Sequence, residues 1–442
     1  MLLRFAVKNL YSFKEETEFN LFPSSKATHH LHHRVPCGDV EAMRLTALYG
    51  ANGAGKSNLV KSLQDLKTFV SSGNISHSVY QNYKFQFSKA SLNEPVSMAI
   101  EFCTGGINYY YSIEMDTGLV SYESLSISKK TKDILVFERE SNGTQTIQFG
   151  EGYLADKNDK LFANVLQDKL LGKEVLLLSF MATNYSEEIP EITNAYKWFI
   201  NDLIVLNPKY LKNLALAYLF NKNPGMNSLL QDVLSGTKTG ITSVEVGTRI
   251  IDENQFDPGF VKGLKDTPGV PRILQNTVDD RINNSIVYEN GELLYMEIQP
   301  KHQLSDGTDI KMPINFESDG TIRLIEYIPL IYLVLTKDCV VVIDEIERSL
   351  HPILIKEIIT KISESLTAKG QLIFTTHESC LLDQDILRPD EIWFAQKDSE
   401  QATQLYPLSD FNIHKTANIE NGYLNGRYGG IPFLSNLNDL HW

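Results

Sequence analysis

Lys56 and Ser57 close the stretch Gly50-Ala51-Asn52-Gly53-Ala54-Gly55-Lys56-Ser57, which follows the spacing G-x-x-x-x-G-K-[ST]. That spacing suits phosphate chemistry. Glycines let the backbone turn tightly and aim its N–H groups at phosphate oxygens. A lysine there reaches the β- and γ-phosphates, and the adjacent hydroxyl can ligate Mg²⁺. Gly50, Gly53, Gly55, Lys56 and Ser57, with Asn52 inside the loop and Asn58 just after it, form the candidate phosphate-binding set. With ordinary composition the bare pattern arises by chance in on the order of one percent of chains this long, so a stray glycine turn is a poor account of it.

A second group of residues could complete such a site. Cys339-Val340-Val341-Val342-Ile343 is a continuous apolar run ending in Asp344-Glu345. Such a strand is buried on both faces of a parallel sheet, whose carboxyl end is where ligands sit. Asp344 is the candidate partner of Ser57 on Mg²⁺, and Glu345 the candidate base that orients or deprotonates an attacking water. Alone, two carboxylates could equally well terminate a strand and cap the next helix; beside a phosphate loop, the catalytic reading prevails. Gly370 to His377 is a further apolar strand with a polar end, which makes His377 a candidate sensor of the γ-phosphate.

These side chains need elements to hold them. Leu45 to Tyr49 reads as a buried strand before the loop, and Asn58 to Leu63 has helical spacing after it. Leu2 to Asn9 and Thr17 to Leu21 alternate as two antiparallel strands, and Val96 to Phe137 is a strand-rich antiparallel lobe with turns at Gly105-Gly106 and Thr117-Gly118. Lys157 to Leu234 is helical, with Leu166, Leu170 and Leu171 in one segment, and its heptads are too short for a coiled coil. Asp252 to Asn284, with three prolines, reads as loop or a weakly structured insertion. Ile286 to Tyr288 and Leu293 to Ile298 form a hairpin through Asn290-Gly291, and Ile322 to Thr336 a helix with Ser318 to Gly320 at its start. The expected organisation is 1–155, the phosphate loop with the antiparallel lobe; 156–285, a mainly helical insertion; and 286–442, the carboxylate strand and the histidine.

Bulk properties narrow the classes. A chain of 442 residues exceeds the usual single core. No apolar run approaches the roughly 20 residues of a membrane span, and the N-terminus has no signal-peptide profile, so a cytoplasmic protein is expected. The four scattered cysteines read as free thiols of a reducing compartment. A net charge of −14 argues against broad nonspecific nucleic-acid binding, and Lys129-Lys130-Thr131-Lys132 reads as a solvated turn. His29, His30, His32 and His33 would suit a metal, but no neighbouring Cys or acidic residue completes a ligand set, so a solvent-facing loop is expected.

Taken together, these residues resemble the ABC-type ATPase heads of the SMC, RecF and OLD group. Gly50 to Ser57 matches Walker A, Val340 to Glu345 Walker B, Ser318-Asp319-Gly320 the S-x-G signature, Ser349-Leu350-His351-Pro352 the D-loop and His377 the switch histidine. Tyr49 to Asn58 and Asn425 to Pro432 are closer to the compact ATPases of phage-defence and abortive-infection systems, such as the AriA ATPase of PARIS and the ATPase partners of RloB/TOPRIM-type effectors. The resemblance implies an α/β fold, an ABC-type head with a P-loop core sheet and an antiparallel β lobe. It implies ATP and Mg²⁺ as cofactors, slow hydrolysis and a Q-loop glutamine, for which Gln86 in Lys84-Phe85-Gln86-Phe87 is the candidate. It also implies a homodimer or higher homo-oligomer that sandwiches ATP, with Ser318 and Gly320 facing the nucleotide of the other protomer. Expected partners are a separate effector, a TOPRIM-type nuclease, and a phage-encoded trigger; only about 65 residues follow His377, too few for such a nuclease in this chain. The alternative is a DNA-repair or chromosome-structure ATPase acting directly on DNA.

Overall fold

Strand β5 (Leu45–Gly50), buried along its whole length, runs through the interior of a six-stranded sheet. The order is β11-β17-β18-β5-β19-β20, with β11 (Leu203–Leu206), β17 (Val340–Ile343), β18 (Gln371–Thr375), β19 (Ile392–Lys397) and β20 (Thr403–Pro407). β17, β18, β5 and β19 are parallel, and β20 returns antiparallel. Every residue of β17, β5 and β18 is buried, which is why these strands read as unbroken apolar runs. The computed structural model describes residues 1–75, 83–141, 143–154, 156–206, 215–237, 239–275, 283–414 and 417–431.

The chain divides into two compact units. The first takes Met1–Val205, Lys337–Ile346 and the described residues from Ile359 onward; the second takes the described residues of Leu206–Thr336 with Glu347–Ile358.

Besides the parallel sheet, the first unit holds an antiparallel sheet in the order β10-β9-β8-β7-β6-β1-β2. Its strands are β1 (Leu2–Lys8), β2 (Thr17–Asn20), β6 (Val96–Thr104), β7 (Ile107–Asp116), β8 (Leu119–Ile127), β9 (Ile134–Glu140) and β10 (Thr146–Phe149). The expected lobe is therefore present, with the two N-terminal strands joined to its edge. Tyr109 and Tyr111 point into the core, while Tyr110 lies on the other face near the Arg4 guanidinium. A short hairpin, β3 (Arg34–Cys37) and β4 (Val40–Met43), precedes β5. The fully buried Gln371 side chain ties the two larger sheets together: its Oε1 accepts from Leu2 N, and its Nε2 donates to Leu2 O and Met43 O.

Helix α1 (Lys56–Ser72) buries Leu59, Val60, Leu63, Leu66, Phe69 and Val70 along one stripe, the i, i+3/i+4 pattern of a helix laid on a sheet. Further helices among the described residues of this unit are α2 (Lys157–Val165), α3 (Leu177–Asn184), α4 (Pro190–Lys197) and α10 (Ile419–Leu424). The buried Glu123 accepts from Leu177 N, Leu178 N and the Tyr111 hydroxyl beside Arg139, and so fastens the start of α3 to the antiparallel sheet.

The second unit has a five-stranded antiparallel sheet: β12 (Ile241–Ile250), β15 (Glu292–Gln303), β14 (Asn283–Glu289) and β13 (Arg272–Gln275) in that order, with β16 (Asp309–Lys311) also on β15. β14 and β15 form the expected hairpin, and positive φ at both Asn290 and Gly291 matches its tight turn. Around the sheet are α5 (Leu216–Lys222), α6 (Pro224–Gly236), α7 (Pro258–Lys265) and α8 (Asp319–Thr336). Helix α9 (Pro352–Ser363) begins in the second unit and ends in the first.

Three expectations need correction. The block 156–285 is not one helical insertion: α2 to α4 pack in the first unit, and the rest joins the second, where it supplies strands β12 and β13. The stretch from Asp252 is not simply loop, because Asp257 caps Phe260 N and Pro258 occupies the first turn of α7, where its missing N–H costs nothing. Leu170 is exposed whereas Leu166 and Leu171 are buried, because the chain passes through a π-turn there.

Candidate nucleotide site

The register of the parallel sheet sets the geometry. Ile343 lies beside Phe374, and Phe374 beside Ala47, so β17, β18 and β5 end at the same edge. The phosphate loop leaves β5 at that edge, and Asp344 and Glu345 leave β17 next to it. Lys56 is buried, and its Nζ donates to Gly50 O at 2.8 Å and to Ala51 O at 3.3 Å across the mouth of the loop. Asn52 and Gly53 form the exposed tip, and Gly53 has a φ of 79° with open space around its Cα.

Gly55 has a φ of 112°, and a Cβ there would overlap the Thr403 hydroxyl. Thr403 Oγ1 donates to Ala54 O at 2.8 Å and lies 2.8 Å from Ser12 Oγ, while Asn58 Nδ2 donates to Ser12 Oγ at 2.8 Å. Asn58, expected among the nucleotide ligands, is thus engaged in bracing the loop from below. Ser12 and Thr403 come from segments that no motif marks. In the same N-terminal turn the Tyr11 hydroxyl donates to Asp65 of α1 at 2.6 Å, and burial pushes the Asp65 carboxyl above its usual range.

Ser57 Oγ lies 3.1 Å from Asp344 Oδ1. Two oxygens on adjacent positions of an octahedral Mg²⁺, at about 2.0–2.1 Å each, stand about 2.9 Å apart, so this pair fits such an ion. Thr375 Oγ1 donates to Asp344 Oδ1 at 2.6 Å and accepts from Glu345 N at 2.8 Å. The buried threonine thereby fixes the carboxylate and the backbone that carries the next one. Glu345 is half-buried and has a φ of 52°, a conformation that L-residues rarely adopt and that the surroundings must hold. His377 follows β18 two residues beyond Thr375, as an exposed side chain at the same edge of the sheet.

The C-terminal glycine turn packs onto this edge. Phe394 of β19 stacks with Tyr423 and Tyr428, and at Gly430, with a φ of 67°, an added Cβ would lie 3.3 Å from the Phe394 ring and 3.7 Å from Gly50 Cα. Ser379, just after His377, donates to Glu420 of α10 at 2.7 Å. Pro432, the last residue of the Asn425 to Pro432 phrase, lies outside the described residues.

Ser318 and Gly320 lie in the second unit. Ser318 caps α8, its Oγ accepting from Thr321 N at 3.2 Å. Gly320 faces the backbone of Ser349: a Cβ would stand 2.9 Å from Ser349 O, and Ser349 itself has a φ of 65°. The signature-like and D-loop-like segments are therefore packed on each other. Gln86 is exposed and turns its amide back to Lys84 O.

The family profile described as "AAA domain, putative AbiEii toxin, Type IV TA system" matches residues 45–161 and 186–383, which contain Gly50 to Asn58, Ser318, Gly320, Asp344, Glu345 and His377. A comparison with curated proteins gives no match. Among solved structures, the SMC head domain from Thermotoga maritima aligns with 93% of this chain and 99% of its own at 13% identity and a TM-score of 0.39. An SmcHead bound to the C-winged helix domain of ScpA aligns over 92% and 97% at 14% identity and a TM-score of 0.42.

Proposed function

The chain belongs to the AAA-domain family described as putative AbiEii toxin of type IV TA systems, and from that premise we propose that it is a slow, Mg²⁺-dependent ABC-type ATPase serving as the sensor or scaffold of an anti-phage, abortive-infection system. The observation that carries the ATPase reading is the 3.1 Å approach of Ser57 Oγ to Asp344 Oδ1, with Glu345 as the next residue. Ser57 and Asp344 hold the metal, and Lys56 leaves the loop carbonyls for phosphate oxygens. Mg²⁺ when bound neutralises charge on the phosphates. Glu345 orients the attacking water and takes up its proton. His377, at the same sheet edge, reports on the γ-phosphate.

Ser318 and Gly320 face the nucleotide of a second protomer, so that the helix N-terminus of α8 supplies electrostatic stabilisation without a side-chain charge. ATP then governs assembly as well as serving as substrate. The toxin–antitoxin wording of the family description supports the defence role, in which a separate effector, of TOPRIM-nuclease class, is held or released by the ATP-bound oligomer.

Hydrolysis measured for wild type and Glu345→Gln, with and without DNA, tests this reading. Glu345→Gln should bind ATP yet barely turn it over; equal rates for the two proteins would remove Glu345 from catalysis. Strong stimulation by DNA would favour the alternative, an ATPase acting directly on DNA. Mixing Lys56→Ala with Ser318→Arg, each inactive alone, should restore activity through one intact site per mixed dimer. No recovery at any ratio would sink the shared-site model.

A further inference from the structure

Four histidines crowd the turn between β2 and β3, at the opposite end of β5 from the phosphate loop. The expected solvent-facing loop is instead folded inward, with His33 fully buried. His33 Nδ1 lies 2.9 and 3.0 Å from the two oxygens of Glu391, an acidic partner 358 positions away that no local reading of the sequence could supply. His33 Nε2 lies 2.9 Å from Ser363 O. His32 Nε2 lies 2.7 Å from the same carbonyl, and His30 Nε2 2.9 Å from Gln384 O. The rings of His30 and His33 stack at 5.0 Å, and those of His32 and His33 meet edge-on at 4.5 Å.

Proton accounting selects the free lone pairs. Carbonyl and carboxylate oxygens only accept, so His30 and His32 donate through Nε2–H, and His33 donates through Nδ1–H to Glu391. Neutral imidazoles so oriented keep a lone pair on Nδ1 of His30, Nδ1 of His32 and Nε2 of His33. The last faces both the Ser363 carbonyl at 2.9 Å and Ser363 Oγ at 3.1 Å, and with the Ser363 hydroxyl directed to Ile386 O at 2.7 Å these are two acceptors facing an acceptor, unless a proton or a cation comes between them. A ring N–H held by a backbone carbonyl or a carboxylate, with the other nitrogen free, is the arrangement that surrounds metal-bound histidine.

We propose that His30, His32 and His33 bind one Zn²⁺ ion, with water in the remaining position. One ligand nitrogen from each of the three lies within 4.8 Å of the others. Tetrahedral zinc with Zn–N of about 2.0–2.1 Å places its nitrogens about 3.3–3.4 Å apart, so binding draws the three rings together and turns His30 out of its stack on His33, whose planes lie only 16° apart. An all-imidazole set suits zinc and its late first-row neighbours and not Mg²⁺ or Ca²⁺, which take oxygen ligands. Arg44, which donates to Ser365 O, brings a positive charge to the neighbourhood, and Glu391 supplies the negative charge that offsets it. The ion would fasten the turn against the end of α9 and the Gln384 and Glu391 loops. Through the Arg44 N–H to His33 O bond of 2.8 Å it would also anchor the start of β5, roughly 20 Å of strand from the phosphate loop.

The test uses full-length protein without a histidine tag, dialysed with Zn²⁺ and then against zinc-free buffer, and assayed by metal mass spectrometry. Wild type and Lys56→Ala should each retain about one zinc per chain, and His30→Gln/His32→Gln should lose at least roughly tenfold in affinity. Co²⁺ in place of zinc should give the visible spectrum of a tetrahedral, nitrogen- and oxygen-ligated ion in wild type. That measurement stands even if the double variant folds poorly. Wild type that takes up no zinc would leave His33 as a simple ion pair with Glu391 and overturn the proposal. Equal zinc in the double variant, or a thiolate charge-transfer band in the Co²⁺ spectrum, would also overturn it by placing the ion on other residues.

Discussion

Thr375 and Asp344 sit on adjacent parallel strands, and the threonine hydroxyl donates to the carboxylate at 2.6 Å while accepting from Glu345 N at 2.8 Å. One buried hydroxyl thus holds both carboxylate-bearing residues of the site, and its removal should be felt in hydrolysis rather than in binding. Thr375→Val, which keeps the shape and deletes the hydroxyl, leaves the Glu345 N–H without this acceptor. Turnover should fall on the order of tenfold or more, with ATP affinity little changed because Lys56 and the loop amides are untouched. Thr375→Ser should retain most activity. Parallel measurements of kcat and ATP affinity check this; an equal loss in both would mean that the threonine supports the loop rather than the carboxylates.

Gly55 is constrained by both conformation and space. Its φ of 112° and the Thr403 hydroxyl where a Cβ would go make Gly55→Ala costly, by at least about 1–2 kcal/mol, and ATP binding should be lost. Combining it with Thr403→Ala relieves the overlap but not the φ strain, so rescue should be partial at most. Thermal unfolding and nucleotide titration of the single and double variants provide the measurement.

Gly320 touches the Ser349 backbone, so a methyl group there must displace one segment or the other. Gly320→Ala should depress hydrolysis while leaving ATP binding at Lys56 intact. Ser318→Ala removes the cap of α8 and should lower stability by about 1 kcal/mol, read from denaturant midpoints. Normal hydrolysis in Gly320→Ala would argue that this helix start is structural only.

Glu123 is buried against Arg139 and accepts from two backbone amides of α3 and from Tyr111. Glu123→Ala would leave the buried Arg139 guanidinium, which donates to Gly172 O, Val175 O and Gln145, without its counter-charge, and the helix start without its acceptor, at a cost of about 3–5 kcal/mol. Glu123→Gln keeps the shape and part of the hydrogen bonding and should cost less. Chemical denaturation distinguishes the two, and near-wild-type stability of the alanine variant would show that water takes over these groups.

Much of the candidate site at this sheet edge was legible because its residues are neighbours in the chain. Gly50 to Ser57 and Val340 to Glu345 each carry their strand and turn within one short stretch, so composition and spacing report them directly. The antiparallel lobe was legible for the same reason: alternating strands separated by glycine turns pair with the next strand along. The middle of the chain was less so. Pro258 looked like a loop marker, yet behind a capping aspartate it starts a helix, and β12 finds its partner β15 some fifty residues later.

By itself the sequence determined the glycine-rich loop as a candidate phosphate site, the strand that ends in the carboxylate pair and the strand–loop–helix context, since these depend on local backbone geometry and on burial patterns of period two or 3.6. Only the tertiary structure decided what braces them. Thr403 and Thr375 meet the loop and the carboxylates because β5, β18 and β20 share one sheet, Ser12 joins them from the turn between β1 and β2 by accepting from Thr403 N, and hydroxyls of this kind carry no signal until the strands are placed. Likewise Glu391 reaches His33 only because the β19 end of the sheet lies against the turn before β3. Hydrogen bonds act over about 3 Å of space regardless of separation along the chain, and it is folding that turns 358 positions into that distance.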